Sequence, residues 1–406
     1  MNTTAAPAPS RRPRVLVLSP YFLPAQQGGG SVRAVQALTA TLKDEFDFTV
    51  LARDHDLRSP TPYAASACEA ARRATGLDLR YLARGSAGRQ LLHATLAEPF
   101  DLVYLNSLMA PDLGLLPLLW ARRRGASAPP ILIAPRGELM PGALAQRPLT
   151  KRLYLALLRG LGLLRRARFH ATTADEAQAI AAAVGPCAGI NVAGDLPPSI
   201  SEAPRETPPR AAGPLRLLFL SRIDPVKNLG FALDVLARLR QPAVLSIAGP
   251  IGNPSVWADC ETRIRHLPAH VQAQCLGPQA PEAVPALYAT HDLLILPTQG
   301  ENHGYVIQEA LLSGCPVLIS DRTPWRGLAA LGVGADLPLE QPERFVAWLD
   351  AQTPESLQRL RPACRAFAQA AASASPAQEQ SRALLHAALQ PKARMPSSNS
   401  GQSAER

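Results

Sequence analysis

The chain is 406 residues long, 47% of them hydrophobic, and has a formal net charge of +10. This length exceeds the size at which a single hydrophobic core usually keeps growing, so we expect two domains. The six cysteines lack CxxC and metal-ligand spacing, which argues against a zinc module and predicts reduced thiols. No apolar run approaches the roughly 20 residues of a membrane span, and no signal-peptide core follows the basic start. The sequence therefore predicts a cytoplasmic protein, at most peripheral at the inner membrane face.

Positive charge lies almost entirely in the N-terminal half. Residues 1–200 contain 23 Lys and Arg against 14 Asp and Glu, whereas residues 201–406 contain 19 against 18. This excess suggests an anionic partner, such as a lipid diphosphate or an anionic membrane, although a GC-rich genome would also enrich Arg. No zinc-finger or RNP-like motif is present, so we expect no nucleic-acid partner. The basic residues include Arg122, Arg123, Arg124, Lys151, Arg152, Arg165, Arg166 and Arg168.

The first half of the chain has the pattern of an alternating α/β domain. After a head at 1–13 that we expect to be disordered, an apolar run at Arg14–Ser19 leads into a glycine turn and a helical pattern at 31–42. Strands alternating with helices in this way predict a parallel, doubly wound sheet within residues 14–195. Further predicted strands are 48–51, Leu102–Leu105 and 131–134.

The same pattern restarts after a Pro-rich stretch. Residues 196–214 are polar and without periodicity, which predicts an interdomain linker. A second domain is predicted at 215–390, and a polar tail at 391–406 is expected to be disordered. The sequence thus predicts two Rossmann-like, doubly wound domains. The second contains predicted strands at Leu215–Leu220, Ala243–Ala248, Leu293–Leu296 and 316–319, and predicted helices at 229–239, 305–313, 359–372 and 377–388.

The strongest functional signal is a pair of glutamates, Glu301 and Glu309, between a strand and a helix. A loop at the carboxyl end of a parallel strand is where such sheets bind ligands. Free N–H groups at Gly304, Tyr305 and Val306 would face an anion such as a diphosphate. Carboxylates suit sugar and ribose hydroxyls because they accept paired hydrogen bonds. Alternatively, both glutamates could be solvated residues of a helix start.

The segment ENHGYVIQEALLSGCPV resembles the signature of the family 4 retaining glycosyltransferases, which have the GT-B fold. The family has Phe where this chain has His303. The resemblance extends loosely over residues 14–390 and implies that Glu301 contacts donor-sugar hydroxyls and Glu309 the ribose. It also implies a branch, with a PRG loop, that is related to bacterial polysaccharides.

A second match is LFLSRIDPVKNLGFAL, which is similar to the family's Arg–Lys segment. Arg222 and Lys227 flank a tight turn that contains Pro225. Two fixed cations are what a departing nucleoside diphosphate requires as negative charge develops on it. We therefore predict Arg222, Lys227 and Glu301 as the catalytic set, against the alternative that both cations are surface residues.

Several glycines complete the expected donor site. The run after the first strand resembles the family's N-terminal loop, although three adjacent glycines could also be a flexible turn. Thr323, after the last predicted strand, could lie near the donor. The predicted donor-binding residues are Gly29, Gly30, Gly249, Pro250, Gly277, His303, Gly304, Tyr305, Val306 and Glu309.

The predicted acceptor contacts are Arg136 and Glu138, in the segment APRGELM. Many family members have a His near this place, so no general base can be carried over. An Arg–Glu pair that merely structures the loop is nearly as good an interpretation. We expect His170 to be a core histidine, and Thr172 or Thr173 with Glu176 to form a helix-capping box.

The sequence therefore predicts a retaining hexosyltransferase that moves a sugar from a nucleotide diphosphate sugar, UDP- or GDP-linked, to a glycan or lipid-linked saccharide. The resemblance implies that Arg, Lys and helix dipoles, rather than a metal ion, manage the leaving diphosphate, so we expect no metal and no cofactor. Three rival functions stay open: a glycoside hydrolase, a nucleotide-sugar 2-epimerase of GT-B type, and a non-catalytic nucleotide-sugar-binding component of a polysaccharide assembly complex.

Overall fold

A computed structural model describes residues 11–25, 27–145, 148–197 and 213–390. Most of the predicted head and linker, and all of the predicted tail, lie outside these ranges. The chain forms two parallel sheets, each flanked by helices, as the sequence predicts.

The first sheet has seven strands in the order β3-β2-β1-β4-β5-β6-β7. Its central strands are buried along their whole length, which is why they read as continuous apolar runs. The strands are β1 (Arg14–Ser19), β2 (Asp47–Arg53), β3 (Asp78–Leu82), β4 (Leu102–Leu105), β5 (Ile131–Ile133), β6 (Arg168–Ala171) and β7 (Gly189–Val192). The helices of this half are α1 (Gly30–Leu42), α2 (Ala65–Thr75), α3 (Ser86–Ala97), α4 (Leu115–Arg124), α5 (Pro141–Leu144), α6 (Pro148–Gly160) and α7 (Ala174–Val184).

The second sheet has six strands in the order β10-β9-β8-β11-β12-β13. A short 3-10 turn, Pro225–Lys227, precedes its first helix. The strands are β8 (Leu215–Leu220), β9 (Ala243–Ala248), β10 (Val271–Gly277), β11 (Leu293–Leu296), β12 (Val317–Ser320) and β13 (Gly334–Leu337). The helices are α8 (Leu229–Leu236), α9 (Pro254–Arg265), α10 (Val284–Thr290), α11 (Tyr305–Leu312), α12 (Pro342–Asp350), α13 (Pro354–Ala374) and α14 (Ala377–Leu389).

The last helix differs from the predicted domain division, which assigned both closing helices to the second domain. Helix α13 packs on the second sheet through Leu357 and Cys364. Helix α14 instead buries Leu384 and Leu385 in the core of the first sheet and contacts α1. A period of 3.6 residues shows that such a helix has an apolar face, but not which sheet covers that face. The chain therefore crosses between the two halves twice.

Both sheets reverse their strand order at one point. In the first sheet β1 lies between β2 and β4, and in the second β8 lies between β9 and β11. Loops leave such a point in opposite directions and open a crevice at the carboxyl ends of the strands, where doubly wound sheets bind ligands. None of the helices in the described ranges has the length and apolar character needed to cross a bilayer.

Candidate active site

The loops after β8 and β11 meet at the reversal point of the second sheet. Asn228 donates a hydrogen bond to the carbonyl oxygen of Pro297 at 3.0 Å, and the Gln299 N–H donates to the carbonyl of Val226 at 2.7 Å. The Thr298 hydroxyl donates to that same carbonyl at 3.1 Å. These bonds fix the turn that carries Lys227 against the loop that carries Glu301.

Lys227 and Glu301 form an ion pair across this contact. Their side chains are 22% and 12% exposed, so both are partly desolvated but still reachable from the crevice. The Glu301 N–H also donates to the carbonyl of Arg322, in the loop after β12, at 3.2 Å. Three strand-end loops therefore position one lysine and one carboxylate, and both belong to the predicted catalytic set.

Arg222 lies at the end of β8 and is held by Asp224. Its Nε donates to the Asp224 carboxylate at 2.7 Å and its Nη2 at 2.6 Å. Asp224 also accepts from the backbone N–H of Lys227 at 3.3 Å, so one buried carboxylate organises both predicted cations. Gly252 is required here, because a Cβ at that position would lie 2.7 Å from Cγ of Arg222. The sequence analysis identified neither Asp224 nor Gly252.

The first turn of α11 lies beside this cluster. Gly304 has a φ of 78° and precedes the helix without a side-chain cap. An added Cβ there would meet Trp325 Nε1 at 3.2 Å, and that Nε1 donates to the carbonyl of His303 at 2.8 Å. His303 also stacks near Tyr305, with ring centroids 4.4 Å apart, and bonds Gln308 at 2.7 Å. Aromatic packing thus fixes the loop and leaves the helix start for a ligand.

Trp325 was not predicted from sequence, although Thr323, two residues before it, was predicted to lie near the donor. Thr323 is buried, and its hydroxyl accepts a hydrogen bond from the backbone N–H of Trp325 at 3.1 Å. Thr323 therefore holds the indole against the Gly304 turn. Its predicted contact with the donor stays a prediction.

Glu309 lies in α11, one helical turn beyond Tyr305, with its side chain 16% exposed, and faces the first half of the molecule. Its carboxylate pairs with Arg33 of α1, with 3.3 Å between Oε1 and Nε. Burial raises the pKa of Glu309, and Arg33 only partly offsets this effect. Sequence reasoning missed Arg33. A cation in the first turn of a helix is unfavourable for the helix macrodipole, so the position of Arg33 in α1 could have indicated that it has an anionic partner elsewhere.

The glycine turn after β1 faces the same helix. Gly29 has a φ of 62° and precedes α1 without a side-chain cap. A Cβ on Gly30 would lie 3.5 Å from the ring of Tyr305. Tyr305 in turn donates to the carbonyl of Leu196 at 3.2 Å, at the crossover between the two halves. The first turns of α1 and α11 therefore confront each other across the crevice.

Gly249, Pro250 and Gly277 lie at the ends of β9 and β10, on the same edge of the second sheet. The Gly249 N–H donates to the carbonyl of Gly277 at 2.8 Å. A Cβ on Gly249 would meet the carbonyl oxygen of Ser221 at 2.0 Å, so a side chain cannot be accommodated. These residues bring the strand ends together, and their contact with a nucleotide stays a prediction.

Arg136 lies at the corresponding edge of the first sheet, but it faces inward. Its guanidinium forms an ion pair with Asp195 and donates to Asn106 at 3.0 Å and to the Tyr104 hydroxyl at 2.8 Å. The side chains of Arg136 and Asp195 are only 9% and 7% exposed. The backbone of Arg136 has a φ of 53°, a conformation that non-glycine residues rarely adopt. The arginine therefore ties the end of β5 to the crossover.

Glu138 is also saturated by protein groups. It accepts hydrogen bonds from the Ser107 hydroxyl at 2.6 Å and from the N–H groups of Leu108 and Met109 at 2.8 and 3.1 Å. Burial raises its pKa, and these hydrogen bonds oppose that rise. Arg136 and Glu138 do not pair with each other in any described contact, and the acceptor contact predicted for each stays a prediction.

A buried network supports this loop from below. Thr173 caps α7 by accepting the Glu176 N–H at 3.1 Å, which is half of the predicted capping box. The Glu176 carboxylate instead bonds Thr172 and the Gly137 N–H at 2.5 Å. His170 is buried, as predicted, between the Tyr104 hydroxyl and the Ala193 carbonyl at 2.8 and 2.9 Å. Burial is the main factor that lowers the pKa of His170 to about 4.

Within the described ranges, no group of three or more His, Cys, Asp or Glu side chains is arranged to hold a metal ion. Near the carboxyl edge of the second sheet, Lys227, Arg222, Glu301 and the uncapped helix start at Gly304 lie close together. This set combines two cations and a helix N-terminus with one carboxylate, which suits a diphosphate joined to a hydroxyl-rich group.

Comparison with solved structures shows the same architecture. The chain aligns over 92% of its length, and 99% of the other, with Anabaena Alr3699/HepE in complex with UDP-glucose, at 18% identity and a TM-score of 0.66. It aligns over 93% of its length, and all of the other, with sucrose-phosphate synthase from Thermosynechococcus elongatus, at 17% identity and a TM-score of 0.63. Likeness at this identity shows the fold, which is GT-B.

Sequence similarity to curated proteins covers only part of the chain. A D-inositol 3-phosphate glycosyltransferase of Rhodococcus erythropolis is 32% identical over 116 residues, or 27% of this chain and 26% of that protein. The corresponding protein of Nocardia farcinica is 34% identical over 122 residues. The chain spans about a quarter of the length of these relatives. Residues 201–349 match the family described as Glycosyl transferases group 1.

Proposed function

We propose that this protein is a retaining glycosyltransferase that moves a hexose from a nucleotide diphosphate sugar to a saccharide acceptor. The observation that carries the proposal is the convergence of Lys227, Arg222 and Glu301 beside the uncapped start of α11, at the reversal point of the second sheet. The match of residues 201–349 to glycosyl transferases group 1 supports it. The UDP-glucose bound by the Anabaena structural neighbour supports a nucleotide-sugar donor.

The proposed chemistry follows from where charge develops. The bond between the anomeric carbon and the diphosphate oxygen breaks, and the acceptor oxygen bonds to that carbon. Lys227, Arg222 and the N–H groups at Gly304 would stabilise the charge on the departing diphosphate. The acceptor proton would pass to that diphosphate on the same face of the sugar. Because the departing diphosphate accepts the proton, this route needs no protein base. Arg136 and Glu138 are both bonded to other protein groups, which is consistent with such a route.

Glu301 and Glu309 would fix the two ends of the donor. Glu301 would accept hydrogen bonds from sugar hydroxyls while it orients Lys227, and Glu309 would accept from the ribose. Since Arg33 pairs with Glu309, it lies where the nucleotide would pass between the two halves. The proposed donors are UDP- or GDP-hexoses, bound without a metal ion or other cofactor.

The proposed acceptor is a glycan or a lipid-diphosphate-linked saccharide in surface polysaccharide synthesis. Positive charge in the first half of the chain supports an anionic acceptor or surface. We propose that the protein works in the cytoplasm, peripheral to the inner membrane face. Its activity, substrates and partners are all part of this proposal.

The test is transfer from UDP- and GDP-hexoses to a panel of saccharide and lipid-linked acceptors in the presence of EDTA. We expect nucleoside diphosphate release that depends on an acceptor, and a new linkage whose anomeric configuration, read by NMR, matches the donor. Formation of a 2-epimer without acceptor would instead identify an epimerase. Release of sugar from a glycoside without nucleotide would identify a hydrolase, and binding without turnover a scaffold.

A further inference from the structure

Helix α6 (Pro148–Gly160) exposes a ridge of leucines to solvent. Leu149, Leu153, Leu157 and Leu161 recur every four residues and are 81%, 73%, 45% and 38% exposed. We name these four residues the leucine ridge. The other large hydrophobic side chains exposed in the described ranges, Val192, Ile251 and Leu331, do not share an element.

The ridge is not the side by which α6 packs. Leu155 and Leu158, on the opposite face, are buried in the core of the first sheet. The Tyr154 hydroxyl donates to the carbonyl of Leu108 at 3.0 Å, and Lys151 donates to the carbonyl of Ala143 at 2.5 Å. The helix is therefore anchored on one side and apolar on the other, a pattern that soluble surfaces rarely show without a partner.

Positive charge surrounds the ridge. No Asp or Glu occurs between residues 139 and 174. Arg152 is exposed on α6 one helical turn from Leu149, and Arg165 is exposed beyond the C-terminal end of the helix. Arg122, at the end of α4, lies near the C-terminal end of the ridge, because a Cβ on Gly162 would be 3.7 Å from both Arg122 and Arg165. An apolar stripe flanked by cations fits an interface whose interior is apolar and whose surface is negative.

We propose that the leucine ridge and its flanking arginines dock this protein on an anionic phospholipid bilayer, with α6 lying parallel to the membrane surface. A second copy of the chain fits less well. A symmetric contact through the ridge would place the same arginines opposite one another, and like charges at an interface are unfavourable. A lipid headgroup layer supplies the opposite charge for each arginine.

Docking in this way would bring the membrane next to the acceptor edge of the first sheet. Tyr154 of α6 bonds the carbonyl of Leu108, and the N–H of Leu108 is bonded by Glu138. A saccharide that stands on a lipid would then enter beside the loop that follows β4. The docking surface deepens the proposed peripheral membrane contact by naming its residues, and in that respect it rests on the proposed function. Membrane binding can nevertheless be measured without donor or acceptor, so its test is separate from the test of transfer.

The test is co-sedimentation of the full chain with vesicles of phosphatidylcholine, with and without phosphatidylglycerol. We expect binding to the mixed vesicles that weakens as salt is added. The double variant L149E/L153E should lower the partition coefficient at least about tenfold. The variant R152Q/R165Q should lower it roughly tenfold for the mixed vesicles alone. The matched control, L331E, alters a leucine that is 50% exposed on the second half and should bind like the wild type.

Thermal unfolding checks that L149E/L153E is folded. Because both leucine side chains are exposed, we expect its melting temperature to be close to that of the wild type. Wild-type binding by L149E/L153E, or equal binding by L331E and L149E/L153E, would overturn the proposal. If the wild type binds neither kind of vesicle but forms a dimer, and the L149E/L153E substitutions dissociate that dimer, the ridge would instead be assigned to a contact with a second copy of the chain. Each result is read without turnover, so failure of docking is distinct from failure of the proposed transferase.

Discussion

Charged residues occur at the carboxyl edges of both sheets, but their surroundings differ. At the second sheet, the side chains of Lys227 and Arg222 are 22% and 43% exposed and open to the crevice. At the first, the side chain of Arg136 is 9% exposed, and Glu138 is half-buried and bonded to three protein groups. A strand-end position is thus insufficient to identify a ligand-binding group. Remaining access to solvent, and whether the protein already satisfies the group, separate the two edges.

The largest effect should come from removing the cation or the carboxylate of the second edge. We expect K227A and E301A each to reduce transfer by about a thousandfold or more, because each removes a charged group placed where charge develops. The measurement is the rate of nucleoside diphosphate release. The matched control is D259N, in the exposed Asp259–Arg263 pair, which should keep wild-type activity. Near-normal transfer by K227A would contradict the claim that the exposed charged groups at the second edge act on a ligand while those at the first edge are structural.

Removing the cation of the first edge should affect stability. We expect R136M to lower the free energy of unfolding by about 3–5 kcal/mol, because Asp195 would remain buried without its partner. Denaturant unfolding measures this loss. The double variant R136M/D195N should recover part of it, since both charges are then removed. If R136M unfolds like the wild type but no longer binds acceptor, Arg136 belongs with the ligand-binding groups.

The buried network below the first edge predicts a pH dependence. The pKa of His170 is lowered by burial to about 4 from an ordinary value of 6.5, so the unfolded chain binds the proton first as the pH falls. Stability should therefore decrease between these two values, by up to about 3 kcal/mol in total. The free energy of unfolding against pH measures this decrease. In H170Q the part of this decrease that His170 causes should be absent. If the free energy of unfolding of H170Q depends on pH as steeply as that of the wild type, other groups cause the decrease.

Glu309 tests the contact between the two halves and should show the smallest change. Burial raises its pKa, so ionisation above the ordinary carboxyl range destabilises the folded state. E309Q should therefore be more stable than the wild type at neutral pH, and the difference should shrink as the pH falls toward that range. Its affinity for nucleotide should drop by about tenfold, because a carboxylate acceptor for the ribose is lost. Lower stability in E309Q at neutral pH would contradict this assignment.

Sequence reasoning found the central strands and missed the edges of the sheets. The predicted strands Leu215–Leu220, Ala243–Ala248 and Leu293–Leu296 coincide with β8, β9 and β11. The four edge strands β3, β7, β10 and β13 were not predicted, and one short interior strand, β6, was also missed. Central strands of a parallel sheet are buried on both faces and read as apolar runs, whereas an edge strand such as β10, VQAQCLG, carries polar residues toward solvent. Composition alone does not distinguish such strands from loops.

The donor edge could be approached from sequence because its residues follow strands at recognisable positions. Lys227 and Glu301 are far apart in the chain, yet each follows a strand next to the reversal point. The pairing of Arg33 with Glu309 depends on how the two halves face each other, which no local pattern specifies. The inward orientation of Arg136 likewise depends on Asp195, in a distant segment.

The most direct test of the central claim is thermal stabilisation of the purified protein by UDP, GDP, ADP and their sugars, with EDTA present. Selective binding to the folded state raises its stability, so we expect a clear shift of the melting temperature with UDP or GDP, and loss of this shift in K227A. An unchanged melting temperature with every member of the panel, from a folded sample, would contradict a nucleotide-sugar site at the second sheet.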